Sequence, residues 1–194
     1  DEFPVSLFAK WQNSNLWGEG KTVSASTTIS STDQSVSGSY GQNWLFGLPL
    51  GLSESLSVSH SNESALRNAW LPDGTLDDDS YYMQYEDYSV TLSSSVGRRW
   101  TPNFAILSWG GGLATTLSNN IYDEALYTPV DSSINQAANR FGLNNSIWTS
   151  FSIDNRDINY DPSKGWFSSE RVAWYGLLPG IEKEFFLRTD TKLE

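Results

Sequence analysis

The chain has 194 residues, a net charge of −11 and no cysteine, and only 18% of its residues are charged. The lack of cysteine excludes a disulfide framework and a zinc site built on thiolates, and the acidic charge argues against a nucleic-acid partner, whose phosphates it would repel. Aromatic residues make up 14% of the chain, with nine each of Trp, Tyr and Phe, which is too much apolar surface for a disordered chain.

The chain also lacks the marks of a helical membrane protein. No stretch approaches the roughly 18 consecutive apolar residues of a transmembrane helix. The opening residues Asp1–Pro4 show neither the basic start nor the apolar run of a signal peptide. A membrane β-barrel is still compatible with these observations, because its strands give a much weaker signal per segment.

Apolar and polar residues alternate with a period of two along most of the chain, which predicts β-strands. In chain order, about nine strands are predicted, near residues 5–12, 23–30, 35–40, 50–59, 88–93, 107–117, 147–154, 166–178 and 184–193. Many approach the roughly 9–11 residues with which a tilted strand crosses a bilayer, whereas an average globular strand has about five or six. Helical signal is confined to residues 131–141, where Ser132 or Ser133 is placed to cap a short helix.

The connections between the predicted strands alternate in length. Those at residues 13–20, 42–49 and 97–103 are short, and those at residues 61–80 and 119–145 are long and polar. This alternation is typical of an outer-membrane barrel, which has short turns at one end and longer loops at the other. Tight connections at residues 31–34 and 176–181 fall on the long-loop side, so the alternation is imperfect.

The polar face of the predicted strands carries mostly serine and threonine, and the charges lie mainly in the connections. A soluble sheet surface usually carries Lys, Glu and Arg instead, so small neutral side chains favour a crowded or hydrated barrel lumen. A soluble β-sandwich also alternates apolar with polar residues, and it stays an alternative at this point. Such a sandwich could bind carbohydrate through exposed Trp side chains.

Aromatic residues and one acid test the barrel prediction. Trp and Tyr recur near predicted strand ends, where they would form girdles at the membrane interfaces, at Trp11, Trp17, Tyr40, Trp44, Trp70, Tyr81, Tyr82, Trp100, Trp166 and Tyr175. Glu54 opposes it, because it falls on the apolar face, where a carboxylate in hydrocarbon is costly. Either Glu54 lies near a rim, or a bulge moves it to the other face, or the barrel prediction is wrong.

The sequence offers little catalytic chemistry. The acidic pairs Asp77/Asp79 and Glu86/Asp87 could suggest a carboxylate dyad, but a solvated loop is the favoured interpretation of both. Asp77–Asp79 could bind Ca²⁺ weakly, but they lack the spacing of a Ca²⁺-binding loop and are also interpreted as a solvated loop. Gly110–Gly112 lies within a predicted strand, where glycine indicates a bend or a close backbone approach. No catalytic residue, cofactor site or metal site is predicted.

Four connections, in the right order along the chain, resemble motifs of the BamA family of outer-membrane-protein assembly factors. Asn15–Gly20 resembles the family's Asn-Leu-x-Gly-x-Gly turn, and Gln42–Pro49 its Pro-Trp-Leu-Phe-Gly-x-Pro turn. Residues 154–165 resemble its Asp-x-Arg-Asp…Pro-Thr-x-Gly segment, and Leu177–Gly180 its Ile-Pro-Gly strand exit. The matching turn residues are Leu16, Gly18, Gly20, Trp44, Leu45, Phe46, Gly47, Pro49, Asp154, Arg156, Asp157, Pro162 and Gly165.

These turn residues have plausible structural roles. The three glycines of the first two turns permit positive φ, and Trp44 and Phe46 would anchor their turn at the membrane interface. Pro49 and Pro162 suit strand starts, because proline cannot donate to a strand ladder. The charged residues of the third turn either form a paired cluster that closes a periplasmic turn or are simply solvated, and the sequence leaves both open.

The resemblance runs from about Val5 to Leu193 and implies an all-β fold: an antiparallel, up-and-down transmembrane β-barrel in the bacterial outer membrane. Residues 1–194 then correspond to one partial barrel domain of about nine strands. The family's periplasmic POTRA repeats, first strand and closing strands have no counterpart in this sequence.

The resemblance also implies a function. It indicates a non-enzymatic insertase that assembles outer-membrane proteins by strand pairing at a lateral gate. The implied partners are outer-membrane lipid, nascent outer-membrane proteins, accessory lipoproteins, and the rest of the barrel or another chain covering the open sheet edges, with no nucleic acid. A TamA-like or two-partner-secretion transporter shares these turns and is the alternative within the wider family.

Overall fold

The computed structural model describes residues 5–68, 70, 75, 81–158, 160–177 and 185–194. Within these ranges, nine strands form one antiparallel sheet in sequence order. The strands are β1 (Leu7–Leu16), β2 (Lys21–Ile29), β3 (Asp33–Gln42), β4 (Gly51–Leu66), β5 (Tyr82–Trp100), β6 (Ile106–Ile121), β7 (Gly142–Asp154), β8 (Phe167–Tyr175) and β9 (Phe186–Leu193). This confirms the predicted all-β, up-and-down fold, and the described strands do not form the two packed sheets of a sandwich.

Several strands are longer than the alternation of residues predicts. β4 and β6 have 16 residues each, and β5 has 19. In β5 the pairing continues through Gly97 and Arg98, which pair with Gly110 and Trp109 although they do not extend the apolar alternation. Strand pairs are made by backbone N–H and C=O groups and do not depend on the side chain of the residue. The side-chain pattern therefore marks only the central part of each strand.

The connections lie at two ends of the sheet. One end, called the short-turn end, carries residues 17–20, 43–50, 101–105 and 155–166, and the other, called the long-loop end, carries residues 30–32, 67–81, 122–141 and 176–185. The predicted tight turn at the long-loop end is present, and the backbone N–H of Ser30 donates to Asp33 O at 2.7 Å. The longest connections, at residues 67–81 and 122–141, lie at one end as predicted. The tight connection predicted at residues 176–181 falls largely outside the described residues, and residues 155–166 form a long connection at the short-turn end, so the alternation is imperfect at both ends.

The register divides the sheet into an apolar face and a serine face, because residues that pair across strands point to the same side. One row of the apolar face consists of Val36, Val58, Val90 and Leu117. On the serine face, hydroxyls of neighbouring strands bond at 2.6–2.7 Å, in the pairs Ser24–Ser39, Ser26–Ser37, Ser55–Ser93 and Ser59–Ser89. The serine face is the more buried of the two, as expected for the crowded concave side of a curling sheet.

Glu54 stays on the apolar face. It pairs with Tyr40 and Ser94, and the register of β3, β4 and β5 passes through these pairs without a bulge. The Ser94 hydroxyl donates to Glu54 Oε1 at 2.6 Å. Because Glu54 comes three residues after Gly51, the first residue of β4, it lies towards the short-turn end, where a lipid-facing charge costs less than at the bilayer midplane.

The glycine stretch of β6 allows a close approach between strands, as predicted. A Cβ atom at Gly112 would lie 2.5 Å from Ser94 O and 3.0 Å from Trp148 Nε1. Trp148 belongs to the serine face, and the guanidinium carbon of Arg171 lies 4.5 Å from its ring centroid. The missing side chain at Gly112 therefore leaves room for a large aromatic side chain on the serine face.

The tightest packing lies at the long-loop end. Met83, Tyr122 and Ile134 are buried together, and the Tyr122 hydroxyl donates to Asn135 Oδ1 at 2.5 Å. The connection between β6 and β7 thus folds onto the strand ends as a small separate core. This packing orders a long loop that would otherwise lose entropy without compensation.

The helix in this connection is shorter than predicted. Helix α1 spans only Ser132–Gln136, against the predicted range of residues 131–141. Beyond it the chain bonds to the end of β6: Asn120 N–H donates to Ala137 O, and Asn139 N–H donates to Asn120 O, both at 2.7 Å. Backbone groups used in these bonds cannot continue a helix. Among the described residues, no helix is both long enough and apolar enough to span a membrane.

Candidate functional site: the apolar face, the turns and the sheet edges

The apolar face exposes a wide band of large hydrophobic side chains. At its centre Leu56, Val58 and Leu92 are 49%, 48% and 48% exposed. Contiguous apolar surface beyond a few hundred Å² marks a contact with protein or with membrane. A band of this kind, on strands long enough to cross a bilayer, suits contact with lipid hydrocarbon.

Aromatic side chains border this band at the short-turn end. Trp17, Trp44, Trp100 and Trp166 all lie in or directly beside the turns there, which is the position of an interfacial aromatic girdle. Trp11 differs from the girdle prediction, because it lies in the middle of β1 and belongs to the band itself.

Asn15 holds the first turn, residues 17–20. Its carbonyl oxygen accepts from Gly18 N–H at 3.1 Å, and its side-chain Oδ1 accepts from Gly20 N–H at 2.8 Å. Both glycines have positive φ, +75° and +66°, so glycine fits this turn for the predicted reason. Leu16 makes the last strand pair before the turn.

The second turn is a tight hairpin that projects two aromatic side chains. Leu45 and Leu48 exchange backbone hydrogen bonds of 3.1 Å and 3.0 Å. Between them Phe46 and Gly47 have φ of +54° and +76°, the pattern of a two-residue turn with positive φ at both positions. Phe46 is 92% exposed and Trp44 is 64% exposed, so both are free to enter a membrane interface.

The third turn, residues 155–166, begins at a charged group that we call the Arg156 cluster (Asp154, Arg156 and Glu194). The guanidinium Nε and Nη2 donate to Oδ1 and Oδ2 of Asp154, each at 2.9 Å, and Nη1 donates to Glu194 Oε2 at 2.6 Å. Of the three charged residues predicted together, the structure pairs only Asp154 with Arg156. Glu194, which is 38 residues from Arg156, completes the cluster, and no local sequence signal identifies it.

Asp157 is not part of the Arg156 cluster and instead forms a bracket, a set of hydrogen bonds that connects the two sides of the same turn. Its Oδ2 accepts from the Ser163 hydroxyl at 2.5 Å, and its Oδ1 accepts from the backbone N–H groups of Ser163 at 3.0 Å, Lys164 at 3.2 Å and Ile158 at 2.9 Å. These hydrogen bonds, the Ser163 hydroxyl first among them, lower the pKa of Asp157 below its ordinary value. The ionised carboxylate is therefore the form that closes the turn.

This bracket should make the third turn sensitive to acid. Because the pKa of Asp157 is lowered by folding, its stabilising effect is present above the ordinary Asp pKa of about 3.9 and is lost as the pH falls through the lower pKa of the folded state. Substituting Ser163→Ala should raise the pKa of Asp157 towards the ordinary value. Carboxyl titration by NMR measures this, and an unchanged titration in Ser163→Ala would contradict the assigned cause.

The two prolines of the turn motifs occupy different positions. Pro49 lies two residues before β4, as predicted for a strand start. Pro162 lies inside the third turn, five residues before β8 begins at Phe167, so its predicted place at a strand start is wrong. The residues around Pro162 belong to the part of the turn that closes around Asp157, so the strand begins further along the chain.

Gly165 lies where no other residue fits. Its φ is +98°, and a Cβ atom there would overlap Asn155 O and lie 2.7 Å from Arg156 Cα. Asn155 in turn accepts from Trp166 N–H through Oδ1 at 2.7 Å. The end of the third turn therefore lies directly against its beginning.

The sheet has two open edges in the described part of the chain. β1 and β9 each pair with a neighbour on one side only, and an unpaired strand edge is a template for another strand. β9 carries alternating exposed charges at Arg188, Asp190 and Lys192, and Arg188 Nη2 lies 3.0 Å from Asp190 Oδ1. Further strands must cover these edges in a closed barrel.

Of the other acidic candidates, only Glu86 and Asp87 lie among the described residues. The solvated loop predicted for Glu86 and Asp87 is wrong, because both residues lie in β5. As neighbours in a strand they point to opposite faces, so they do not form a carboxylate dyad either. Within the described ranges, no group of three or more His, Asp or Glu residues is placed to hold a metal ion. Asp77–Asp79 and residues 178–180 of the strand-exit motif lie outside the described residues.

Comparison with known proteins matches this architecture. The profile of the Omp85 superfamily domain matches residues 15–194. A Treponema pallidum (strain Nichols) protein named "Putative outer membrane protein assembly factor" is 32% identical over 207 residues, covering 99% of this chain and 24% of that protein. The crystal structure of Haemophilus ducreyi BamA lacking POTRA domains 1–3 superposes with a TM-score of 0.56 at 13% identity, covering 96% of this chain and 34% of that chain. The chain thus spans about a quarter of the Treponema protein's length.

Proposed function

This chain belongs to the Omp85 superfamily, and from that premise we propose that it forms part of the barrel wall of an outer-membrane protein assembly factor. Its place is the outer membrane. As one partial barrel domain, residues 1–194 would supply about nine consecutive strands of the wall. The rest of the barrel, or another chain, would cover the edges of β1 and β9.

The observation that supports this proposal is the division of one long-stranded sheet into two chemically different faces. The apolar face carries exposed Leu and Val at its centre, and the serine face is closed by hydroxyl pairs such as Ser55–Ser93 at 2.6 Å. A lipid-facing outside and a polar lumen require this arrangement. The turns at the short-turn end, which resemble motifs of the assembly-factor family, agree with this proposal.

We assign the insertion step itself to strand pairing. A substrate strand would add to an exposed barrel edge through main-chain hydrogen bonds, which give binding without a catalytic residue. This gate would lie between the first and last strands of the barrel. Both strands are outside the part of the family's barrel to which this chain corresponds. The role of this chain is then structural: its apolar band would set the local bilayer thickness, and wherever that band is shorter than the hydrocarbon layer the bilayer would thin, which would lower the barrier to insertion.

The turns would serve this role at the periplasmic side. Trp44 and Phe46 would hold the second turn at the interface, and the Arg156 cluster would fasten the third turn to the end of β9 through Glu194. Accessory lipoproteins and nascent outer-membrane proteins are the proposed partners on this side. The net charge of −11 keeps nucleic acid out of this set.

A reconstituted folding assay tests the proposal. The protein at its natural length, placed in lipid vesicles, should accelerate the folding of an unfolded substrate barrel relative to empty vesicles, followed by heat-modifiable gel mobility. Residues 1–194 alone should give no acceleration, because the gate would be missing. Acceleration by residues 1–194 alone would overturn the gate assignment, and secretion of a passenger without any acceleration would favour the transporter alternative.

A further inference from the structure

A groove opens on the apolar face, across β5 to β8. Its volume is about 510 Å³, and its walls are formed by Trp109, Leu113, Ile147 and Trp174, with Gly111 at the floor. Small-molecule sites have volumes of roughly 300–1,000 Å³, so the groove is large enough to hold part of a ligand. It lies within the band that faces the membrane.

The groove exists because an outward position lacks a side chain. Gly111 pairs with Val96 and Thr149 on the apolar face. Because Gly111 has no side chain and the other two have small ones, the backbone there is covered only by a thin layer of atoms. Trp109 forms one wall and is fixed there, since its Nε1–H donates to Thr149 Oγ1 at 3.2 Å. Trp174 stands opposite and is 49% exposed.

A carboxylate lies at one end of this groove. Ser94 lines the groove and donates its hydroxyl to Glu54 Oε1 at 2.6 Å. Glu54 is on the apolar face, and no Lys, Arg or His of the described residues lies within ion-pair distance of it. A negative charge on a lipid-facing surface is costly unless it is paired. Because no protein cation in the described part of the chain pairs with Glu54, a cation from the surroundings would stabilise it.

The tilt of the strands places this carboxylate and the groove at different depths. Glu54, Ser94, Leu113 and Ile147 form one row across the sheet. Glu54 is three residues from the short-turn end of β4, whereas Ile147 is seven residues from the short-turn end of β7. At about 3.3 Å per residue, these are about 10 Å and 23 Å along the strands. The row therefore climbs from the membrane interface at Glu54 towards the bilayer interior at the groove.

We propose that this surface is a lipid site: the groove holds an acyl chain of a lipid whose ammonium head group pairs with Glu54. The groove is continuous with the membrane-facing band, so hydrocarbon is its natural occupant in the outer membrane. The carboxylate selects the head group by charge, and its position near the interface is the depth at which a head group lies. The site depends on the outer-membrane location of the chain and is independent of the proposed insertion step.

Two matched pairs of variants test the site. Gly111→Leu fills the groove, and a Cβ atom at Gly111 meets only ordinary contacts, the nearest being Trp148 O at 3.4 Å. Gly38→Leu is its control, since Gly38 also lies on the apolar face and its nearest contact is Ser24 O at 3.9 Å. Glu54→Gln removes the charge, and Glu170→Gln is its control on the same face, outside the groove.

The measurement is lipid retention by the natural-length protein in mild detergent, followed by native mass spectrometry. Phosphatidylethanolamine and phosphatidylglycerol with identical acyl chains serve as probes, because only the first carries an ammonium group. Wild type, Gly38→Leu and Glu170→Gln should retain phosphatidylethanolamine preferentially. Gly111→Leu should lose this bound lipid, and Glu54→Gln should retain both lipids equally.

Three results would overturn the proposal. Equal retention in Gly111→Leu and Gly38→Leu would show that the groove holds no lipid, and an unchanged head-group preference in Glu54→Gln would remove the role of the carboxylate. Unchanged lipid retention in Gly111→Leu with weakened binding of a substrate protein would make the groove a protein-docking surface. If Gly111→Leu fails the heat-modifiability check for folding, the head-group comparison between wild type and Glu54→Gln still decides.

Discussion

Replacing Val58 by Arg should lower the free energy of unfolding from a bilayer by about 2–4 kcal/mol, whereas the same replacement at the adjacent Ser57 should have a much smaller effect. Val58 lies on the apolar face between Val36 and Val90 and is 48% exposed. It is the eighth of the 16 residues of β4, so it lies near the bilayer midplane, where burying a guanidinium in hydrocarbon costs most.

Ser57 is the matched control because it lies next to Val58 in β4, at nearly the same depth, and points to the other face. Its side chain is half-buried on the serine face, where a charged side chain would meet water in a polar lumen. The two variants should be compared by urea titration of the natural-length protein folded in vesicles. Equal losses at the two positions would contradict the assignment of the faces, and a larger loss at Ser57 would reverse it.

Replacing Gly165 by Ala should destabilise the third turn by roughly 2–5 kcal/mol, from positive-φ strain and backbone overlap together. The Ala methyl would overlap Asn155 O and lie 2.8 Å from Asn155 C. These are backbone atoms that cannot rotate away. The turn would have to open, and it would lose the hydrogen bond of 2.7 Å between Trp166 N–H and Asn155 Oδ1.

Gly47→Ala separates the two causes. Gly47 also has a positive φ, +76°, but nothing lies within 4 Å of the position that a Cβ atom would take there. The stability of this variant should therefore fall only by the cost of the positive-φ strain, about 1–2 kcal/mol. Amide hydrogen exchange at Trp166, together with urea titration, measures both effects. Equal losses of stability in Gly165→Ala and Gly47→Ala would show that the overlap with the Asn155 backbone does not contribute to the destabilisation.

Much of the sheet follows from local residue pattern. The alternation around Leu56 and Val58 identifies the strand and its two faces, because successive side chains of any strand point to opposite sides. The positive φ of Gly47 was likewise predictable, since a two-residue turn needs it. The extension of β5 to Trp100 was not, because backbone pairing of Gly97 and Arg98 leaves no trace in hydrophobicity.

Contacts between distant residues were beyond sequence reasoning. Glu194 completes the Arg156 cluster from 38 residues away, and Asp157, although adjacent to Arg156, turns to Ser163 instead. Helix α1 ends early because Asn120 of β6 takes the backbone groups of Ala137 and Asn139. Each outcome depends on which backbone and side-chain groups the register brings within hydrogen-bond distance.

The sequence by itself determined the all-β class, the apolar and serine faces and the turn chemistry, because period-two alternation and positive φ are properties of neighbouring residues. The tertiary structure decided the register, and with it the place of Glu54 on the lipid side, the partner of Arg156 and the groove at Gly111. These follow from pairing between residues that are far apart in the chain. The energy of such pairing is nonlocal, so it is realised only when the whole sheet has formed.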